Sequence, residues 1–174
     1  MSKSKWYVIT GIPSSGKTTV LEHLAKAGYR TVPEAARVLI DDGITRGKTV
    51  AEIRGDEGDF QRRVAELKLK TEAELLLEEV VFLDRAMPDS IAYYQLCGLF
   101  PQEAHALCHR DLYQRVFLME PIAFEGDYAR TESPDAITRL HDLLRDAYEQ
   151  LGYEVVTVPP VSAEDRAQFI LERM

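Results

Sequence analysis

The residues Gly11–Thr18, GIPSSGKT, have the spacing Gly-x-x-x-x-Gly-Lys-Thr. Glycines at these positions let backbone N–H groups turn toward phosphate oxygens, Lys17 can reach the β- and γ-phosphates, and the Thr18 hydroxyl can ligate Mg²⁺. The apolar stretch WYVIT precedes the motif and a helical pattern follows it, so a helix N-terminus adds its dipole to the anion site. The pattern predicts a P-loop that binds a nucleoside triphosphate; the alternative is a glycine-rich turn without a ligand. The predicted nucleotide-binding residues are Gly11, Ile12, Pro13, Ser14, Ser15, Gly16, Lys17, Thr18 and Thr19.

Two carboxylates each follow an apolar stretch. Glu34 stands in VPEAAR, and Asp84 closes VVFLD. Doubly wound sheets bind ligands at the carboxyl ends of their strands, so we expect both side chains, with Arg37 next to Glu34, at that edge. Asp84 is predicted to hold Mg²⁺ directly or through water, like a Walker-B carboxylate. The alternatives are a helix N-cap for Asp84 and an exposed first helical turn for Glu34.

Further candidates lie in two polar segments. Arg85 and Asp89 follow Asp84 in DRAMPD, at the same predicted edge. Arg130 lies in the segment 121–133, predicted as a lid, where an arginine could stabilise the charge that develops on a transferred phosphoryl group. The alternative for Arg130 is an ordinary surface arginine.

Five short apolar stretches predict the strands that must position these residues: 6–10, 29–32, 80–84, 115–120 and 153–158. They are continuous rather than alternating, as expected for strands buried on both faces of a parallel sheet. Helical patterns separate them. The sequence therefore predicts one α/β domain over 1–174, a doubly wound five-stranded parallel sheet of the nucleoside and nucleotide kinase type with a lid.

The predicted helices have recognisable ends. The first ends before Gly28, and a later one begins with Ser133 as N-cap and Pro134 at its first position. A long charged helix is predicted over 59–79, two shorter helices near 87–97 and 101–111, and a last helix from Ser162. The glycine-rich, charged segment 41–58 is predicted to be a mobile loop.

Composition limits the function classes. The chain has 174 residues and a formal net charge of −8, from 21 basic and 29 acidic residues. This charge argues against a broad nucleic-acid surface and favours a small ligand. Cys97 and Cys108 lack the spacing of a zinc site or a disulfide framework, and we expect reduced, partly buried thiols. The N-terminal apolar stretch is too short for a signal peptide or a membrane span, so a cytoplasmic protein without membrane association is expected.

The assembled segments resemble the small P-loop kinases, and most of all the AAA-type ATPase family that includes the ribosylnicotinamide kinase domain. The segments that carry this resemblance are GIPSSGKTT, VPEAAR, DFQRRV, VVFLDRAMPDSIAYY, DYARTE and LGYEVVTVP. The positions VPE, FQ and DR are also similar to deoxynucleoside kinases. That resemblance implies that Glu34 is a base and that Gln61 contacts the substrate. The chain departs from it in having DRAMPD where that family has Glu-Arg-Ser, and one obvious arginine in the lid.

The leading prediction is an ATP-dependent, Mg²⁺-assisted transfer of phosphate to a hydroxyl of a small molecule, a nucleoside or riboside. Lys17 and Arg130 would stabilise charge, Thr18 and Asp84 would hold Mg²⁺, and Glu34 would orient or deprotonate the acceptor. Substrate contacts are predicted for Glu34, Arg37, Gln61 and Arg85. ATP is favoured over GTP because no TKxD motif is present, and PPVS at 159–162 is a predicted wall for adenine.

Two other functions remain open from the sequence. A stand-alone ATPase or nucleotide-dependent switch would need only the P-loop and Asp84, with the segment 43–58 as its switch or partner-binding region. A nucleic-acid end kinase would use the basic residues of the long helix, which are Arg62, Arg63, Lys68 and Lys70. Their spread around the helix favours an exposed face instead.

Overall fold

The computed structural model describes residues 3–122 and 134–174. Five strands form one parallel sheet in the order β2-β3-β1-β4-β5. The strands are β1 Trp6–Thr10, β2 Arg30–Val32, β3 Val81–Asp84, β4 Arg115–Met119 and β5 Val155–Val158. The helices are α1 Lys17–Lys26, α2 Ala35–Thr45, α3 Val50–Arg54, α4 Glu57–Glu74, α5 Asp89–Leu96, α6 Pro101–Ala106, α7 Pro134–Glu149 and α8 Ala163–Leu171.

Both faces of the sheet are covered, as the continuous apolar stretches predict. Trp6 and Val8 of β1 join one apolar cluster, with residues of α4, α5 and α7. Tyr7 and Ile9 point to the other face, into a cluster with residues of α1 and α8. The doubly wound parallel sheet is therefore confirmed. β1 has the predicted bounds, and the other four strands are shorter than predicted by one or two residues at one end.

The segment 41–58 is the main error of the sequence-based prediction. It is not a loop: α2 continues to Thr45, α3 follows, and α4 begins at Glu57. Thr49 and Glu52 form a reciprocal capping box at the start of α3, and Asp56 caps α4 by accepting a hydrogen bond from the Asp59 N–H. The prediction gave weight to the glycines and charges and overlooked these cap signals.

An apolar cluster holds these three helices together. Ile53 of α3 and Phe60 and Val64 of α4 are buried against the start of α2. Gly43 lies inside α2, where a Cβ atom would come within 2.4 Å of Ile53 Cγ1. The glycine is needed for close approach of two helices and does not break the helix. The predicted helix 59–79 is also too long, because Leu75 takes an extended conformation and is buried.

Two smaller findings complete the fold. No helix of the described residues is long and apolar enough to cross a membrane. Cys97 and Cys108 are free and partly buried, as expected.

We predict that Gly43→Ala lowers the free energy of unfolding by about 1–3 kcal/mol, because the added methyl group overlaps Ile53 in a filled contact. Gly58→Ala in α4 is the control. Its Cβ would lie no closer than 3.2 Å to a neighbour, and alanine favours the helix by about 0.8–1 kcal/mol. Urea denaturation of both variants measures the difference. A Gly43→Ala protein as stable as Gly58→Ala would contradict this packing.

Candidate active site

The P-loop residues form the turn between β1 and α1. Gly16 has φ 86° and is the N-cap of α1, without a side chain that caps the first N–H groups. This left-handed conformation favours glycine and leaves the helix N-terminus available to an anion. Thr18 and Thr19 are exposed in the first turn of α1, while Ile12 and Ser15 are buried.

Lys17 folds back along the P-loop. Its Nζ donates a hydrogen bond to the Ile12 carbonyl at 3.1 Å, and its side chain is buried. Burial lowers the Lys17 pKa to about 8, with a further lowering by Arg85 that Asp84 and Glu34 oppose. A phosphate anion next to the ammonium group would raise this pKa again, since an opposite charge favours the charged form.

Asp84 ends β3 next to the P-loop strand, opposite Ile9 in the ladder. Its Oδ1 is buried and, among the described residues, has no hydrogen-bond partner. Burial raises the Asp84 pKa to about 6, and Lys17 partly offsets this. The N-cap alternative is wrong, because Pro88 occupies the N-cap position of α5. An orphaned buried carboxylate oxygen at this place is a ready ligand for a cation.

A cavity of about 190 Å³, here called the small cavity, adjoins Asp84. Thr18, Asp84, Glu34 and Arg37 all line it. No group of three or more His, Cys, Asp or Glu side chains in the described ranges could hold a metal ion alone. One carboxylate and one hydroxyl fit Mg²⁺, which keeps waters and binds substrate phosphates rather than an all-protein cage.

Glu34 is held by an arginine. Its Oε1 accepts from Arg85 Nε at 3.1 Å, and Arg85 Nη1 lies 3.3 Å from Asp89 Oδ1. Burial alone would raise the Glu34 pKa, but Arg85, Lys17 and Lys68 outweigh it and hold the pKa below its usual value. Glu34 is the N-cap residue of α2, yet its side chain makes no capping bond. The carboxylate is thus turned toward the sheet edge, and the alternative of an exposed helical turn does not describe it.

Asp89, at the start of α5, holds the guanidinium of Arg85 in place. It is fully buried and accepts hydrogen bonds from the Thr10 and Tyr148 hydroxyls and from the Ala86 N–H. Burial opposes its charge, but Lys68, Arg85 and these hydrogen bonds lower the Asp89 pKa. Asp89 is therefore a fixed negative charge that orients Arg85.

A second cavity, here called the large cavity, also borders Glu34. Its volume is about 770 Å³, within the usual range for small-molecule sites. Glu34, Arg37, Gln61 and Arg85, the four predicted substrate contacts, all line it. Gln61 is nearly buried and donates from Nε2 to Glu57 Oε1 at 2.9 Å. Apolar side chains form much of the remaining wall, including Ile40, Val64, Tyr93 and Leu140.

The basic residues of α4 do not form one surface. Lys68 is buried, lines the large cavity and donates to Ser90 Oγ at 3.0 Å. Arg63 donates to the Ile53 carbonyl, and Arg62 pairs with Asp59 and Glu103. The end-kinase prediction therefore loses the basic face on which it depended.

The sequence reasoning missed several residues of the site. Thr10 and Tyr148 bind Asp89, and Arg166 of α8 binds the P-loop carbonyl of Ser15. Thr10 carries the same signal as Asp84, a polar residue at the end of a buried strand; Tyr148 and Arg166 lie on amphipathic helices and carry no local signal. Arg130 and Ser133, with residues 123–133 of the predicted lid, lie outside the described residues, and their roles stay predictions.

Comparison with protein families shows a match over most of the chain. The model of the AAA domain family matches residues 6–166. No curated protein matches the chain in sequence.

Solved structures give the fold independently. A NadR protein in complex with NR superposes with a TM-score of 0.69 and 18% identity, over 98% of this chain and 51% of that protein. Deoxyadenosine kinase from M. mycoides covers 97% of both chains, with a TM-score of 0.63 and 12% identity. Thymidylate kinase from Ehrlichia chaffeensis covers 98% of both, with a TM-score of 0.60 and 16% identity. The chain thus spans about half the length of NadR and has the fold of these P-loop kinases.

Glu72 is a partly buried acid near the end of α4. Its Oε1 accepts from the Met87 N–H at 3.0 Å, and both its oxygens lie within 3.0 Å of the Tyr113 hydroxyl. Burial raises the Glu72 pKa to about 7, although these hydrogen bonds and Lys68 oppose the rise. The folded chain therefore binds a proton more tightly at Glu72 than the unfolded chain, whose glutamates titrate near 4.5.

We predict that this acid makes the protein less stable as the pH rises from about 4.5 to about 7. Glu72→Gln keeps a side-chain oxygen that can accept but has no charge, and should remove roughly 2–3 kcal/mol of that dependence. Denaturation at pH 5 and pH 8 measures it, with the exposed Glu74→Gln of the same helix as control. Equal pH dependence in wild type and Glu72→Gln would contradict the burial of this acid.

Proposed function

This chain belongs to the AAA domain family, and we propose that it is a kinase that transfers the γ-phosphoryl group of ATP to a hydroxyl of a small molecule. The observation that carries the proposal is the position of Glu34. Glu34 lines the small cavity together with Thr18 and Asp84, and it lines the large cavity as well. One acidic residue thus borders both the small cavity beside the P-loop and a space large enough for an acceptor.

The P-loop is proposed to bind the ATP phosphates. Backbone N–H groups at the start of α1 and the Lys17 ammonium would neutralise the β- and γ-phosphates. With a pKa of about 8, Lys17 is mostly protonated at neutral pH even before a phosphate is bound. Arg130 is predicted to add a second positive charge from the lid.

Thr18 and Asp84 are the residues that would hold Mg²⁺. When bound, the ion would neutralise charge on the phosphates and orient them. Asp84 supports this assignment through its orphaned oxygen, and Thr18 through its place on the same small cavity.

Glu34 is proposed to receive the acceptor hydroxyl. Its lowered pKa keeps it ionised at neutral pH, so it can accept a hydrogen bond from that hydroxyl and take its proton. The hydroxyl oxygen would bond to the γ-phosphorus while the bond to the β-bridging oxygen breaks and ADP leaves. The transition state of phosphoryl transfer is loose, with little bonding to the nucleophile. The orientation of the acceptor hydroxyl therefore matters more than the strength of the base.

The acceptor is proposed to be a nucleoside or a riboside. The large cavity has a suitable volume, apolar walls and the Gln61 amide for hydrogen bonds to a heterocycle. The structural neighbours include a NadR protein bound to NR and two kinases named for deoxyadenosine and thymidylate. Their low identity leaves the acceptor itself to experiment.

A stand-alone ATPase or switch is the weaker alternative. That function was tied to a mobile segment over 43–58, whereas this segment is folded into helices whose buried side chains join α2 to α4. A purely hydrolytic enzyme also has no use for the large cavity next to Glu34.

The test is acceptor-dependent release of ADP. Purified protein with saturating Mg·ATP is screened against nucleosides, ribosides and small alcohols with a coupled ADP assay. The proposal expects at least one nucleoside or riboside to raise the rate well above the rate without acceptor. Acceptor-independent release with every compound would contradict it.

We predict that Lys17→Ala abolishes phosphoryl transfer and leaves the fold intact, because the P-loop backbone forms without the charge that neutralises the phosphates. Lys26→Ala, an exposed lysine at the end of the same helix, is the control. Specific activity and circular dichroism measure the two effects. Similar activity in Lys17→Ala and Lys26→Ala would overturn the P-loop assignment.

We predict that Glu34→Gln keeps Mg·ATP binding and background hydrolysis but slows transfer by roughly 10²-fold or more, the size expected for a positioned base. Glu79→Gln is the matched control, since Glu79 also pairs with an arginine, Arg30, away from the site. Transfer and hydrolysis are measured at saturating Mg²⁺. An equal loss of both activities in Glu34→Gln would remove its role toward the acceptor.

A further inference from the structure

Arg166 joins three segments at the carboxyl edge of the sheet. It lies in α8 and is 1% exposed. Its guanidinium donates to three backbone carbonyls: Ser15 of the P-loop at 2.5 Å, Glu120 after β4 at 2.7 Å, and Pro159 after β5 at 2.9 Å. A single side chain thus ties the P-loop to the ends of two neighbouring strands.

Within the part of the chain that the structure describes, the positive charge of Arg166 has no close counterion. Over residues 3–122 and 134–174, no carboxylate lies within 4.0 Å of its guanidinium nitrogens. Burial lowers the Arg166 pKa, which the more distant Glu120 partly opposes. A buried charge held only by neutral carbonyls is costly, and an anion bound at the P-loop would compensate it.

The bond to Ser15 fixes the orientation of one peptide group. The peptide bond between Ser15 and Gly16 is trans, since the described residues contain no cis peptide bond. The carbonyl of Ser15 and the N–H of Gly16 therefore lie in one plane and point in opposite directions. With the carbonyl directed at Arg166, the Gly16 N–H is directed to the other side of the loop. In a phosphate-binding loop the N–H groups converge on the anion while the carbonyls point outward and need other partners.

Arg166 also lies close to Gly16 itself. A Cβ on Gly16 would be 3.5 Å from Arg166 Nη1. The charge is therefore next to the residue that begins α1, where the helix N-terminus attracts an anion.

We propose that Arg166 is a positioning residue for the phosphate-binding loop: it holds the Ser15–Gly16 peptide with its N–H toward the phosphates and adds positive charge behind the loop. This proposal rests on the proposed function only in requiring that the P-loop binds nucleotide. It gives Arg166 no contact with the acceptor.

Arg166→Met tests the proposal, and Arg115→Met is its matched control. Arg115 of β4 also donates to a carbonyl, that of Arg173 just after α8, at 2.5 Å, but at the opposite edge of the sheet. Calorimetric titration measures the affinity for Mg·ATP and for tripolyphosphate, which has the phosphates without the nucleoside. Measurements are made well below the melting temperature of each variant, so that loss of stability alone leaves both affinities unchanged.

Arg166→Met is expected to lower the affinity for Mg·ATP and for tripolyphosphate by about the same factor, roughly 10- to 100-fold. This is the size expected for the loss of a hydrogen bond to a charged group. Arg115→Met should match wild type in its affinity for both ligands. Arg166→Lys keeps the charge but cannot donate to all three carbonyls, so both affinities should fall several-fold. This variant replaces Arg166→Met in the test if Arg166→Met does not fold.

Three results would overturn the proposal: unchanged affinities in the Arg166 variants, a loss confined to ATP, or an equal loss in Arg115→Met. Wild-type protein is titrated first. If wild type binds neither ligand, the proposed function fails and this proposal fails with it. If wild type binds both and the Arg166 variants bind them with the same affinity, only the role of Arg166 is removed.

Discussion

The ion pairs of one buried guanidinium hold the two sides of the site together. Arg85 follows β3 with φ 65° and lies between Glu34 at the start of α2 and Asp89 at the start of α5. Asp89 in turn binds Thr10 at the end of β1 and Tyr148 of α7. Because Arg85 cannot lose its charge, these carboxylates are fixed relative to the strand ends. The place of Glu34 between the two cavities follows from this arrangement.

Buried charge of this kind does not by itself stabilise a fold, since desolvation opposes the attraction between the partners. Its use here is to define positions. Lys17 and Asp84 show this most clearly: burial lowers the pKa of the lysine to about 8 and raises that of the carboxyl to about 6, so the charged form of each is less favoured than in water. Phosphates next to Lys17 and a divalent cation next to Asp84 would reverse both shifts. The site is thus suited to a ligand that brings negative charge to Lys17 and positive charge to Asp84.

The sequence was informative wherever the signal is local. Short stretches of sequence were enough to predict the P-loop, the five strands, and the positions of Glu34 and Asp84 at strand ends. A buried strand and its end leave a pattern in neighbouring residues. The prediction of a loop over 41–58 was wrong because the glycine-rich, charged composition was given more weight than the capping box of Thr49 and Glu52. Gly43 was also counted as a sign of a loop, whereas it allows close contact between two helices. The burial of Lys68 and the bond from Arg166 to Ser15, 151 residues away, depend on contacts that no local pattern records.

The fate of the γ-phosphate tests the central claim most directly. ³¹P nuclear magnetic resonance of Mg·ATP incubated with the protein and a mixture of nucleosides and ribosides distinguishes the possible products by their chemical shifts. The structure of the site predicts a new phosphomonoester signal that grows in step with ADP and disappears when the acceptors are omitted. Inorganic phosphate as the only product formed with ADP, with acceptors present or absent, would contradict it.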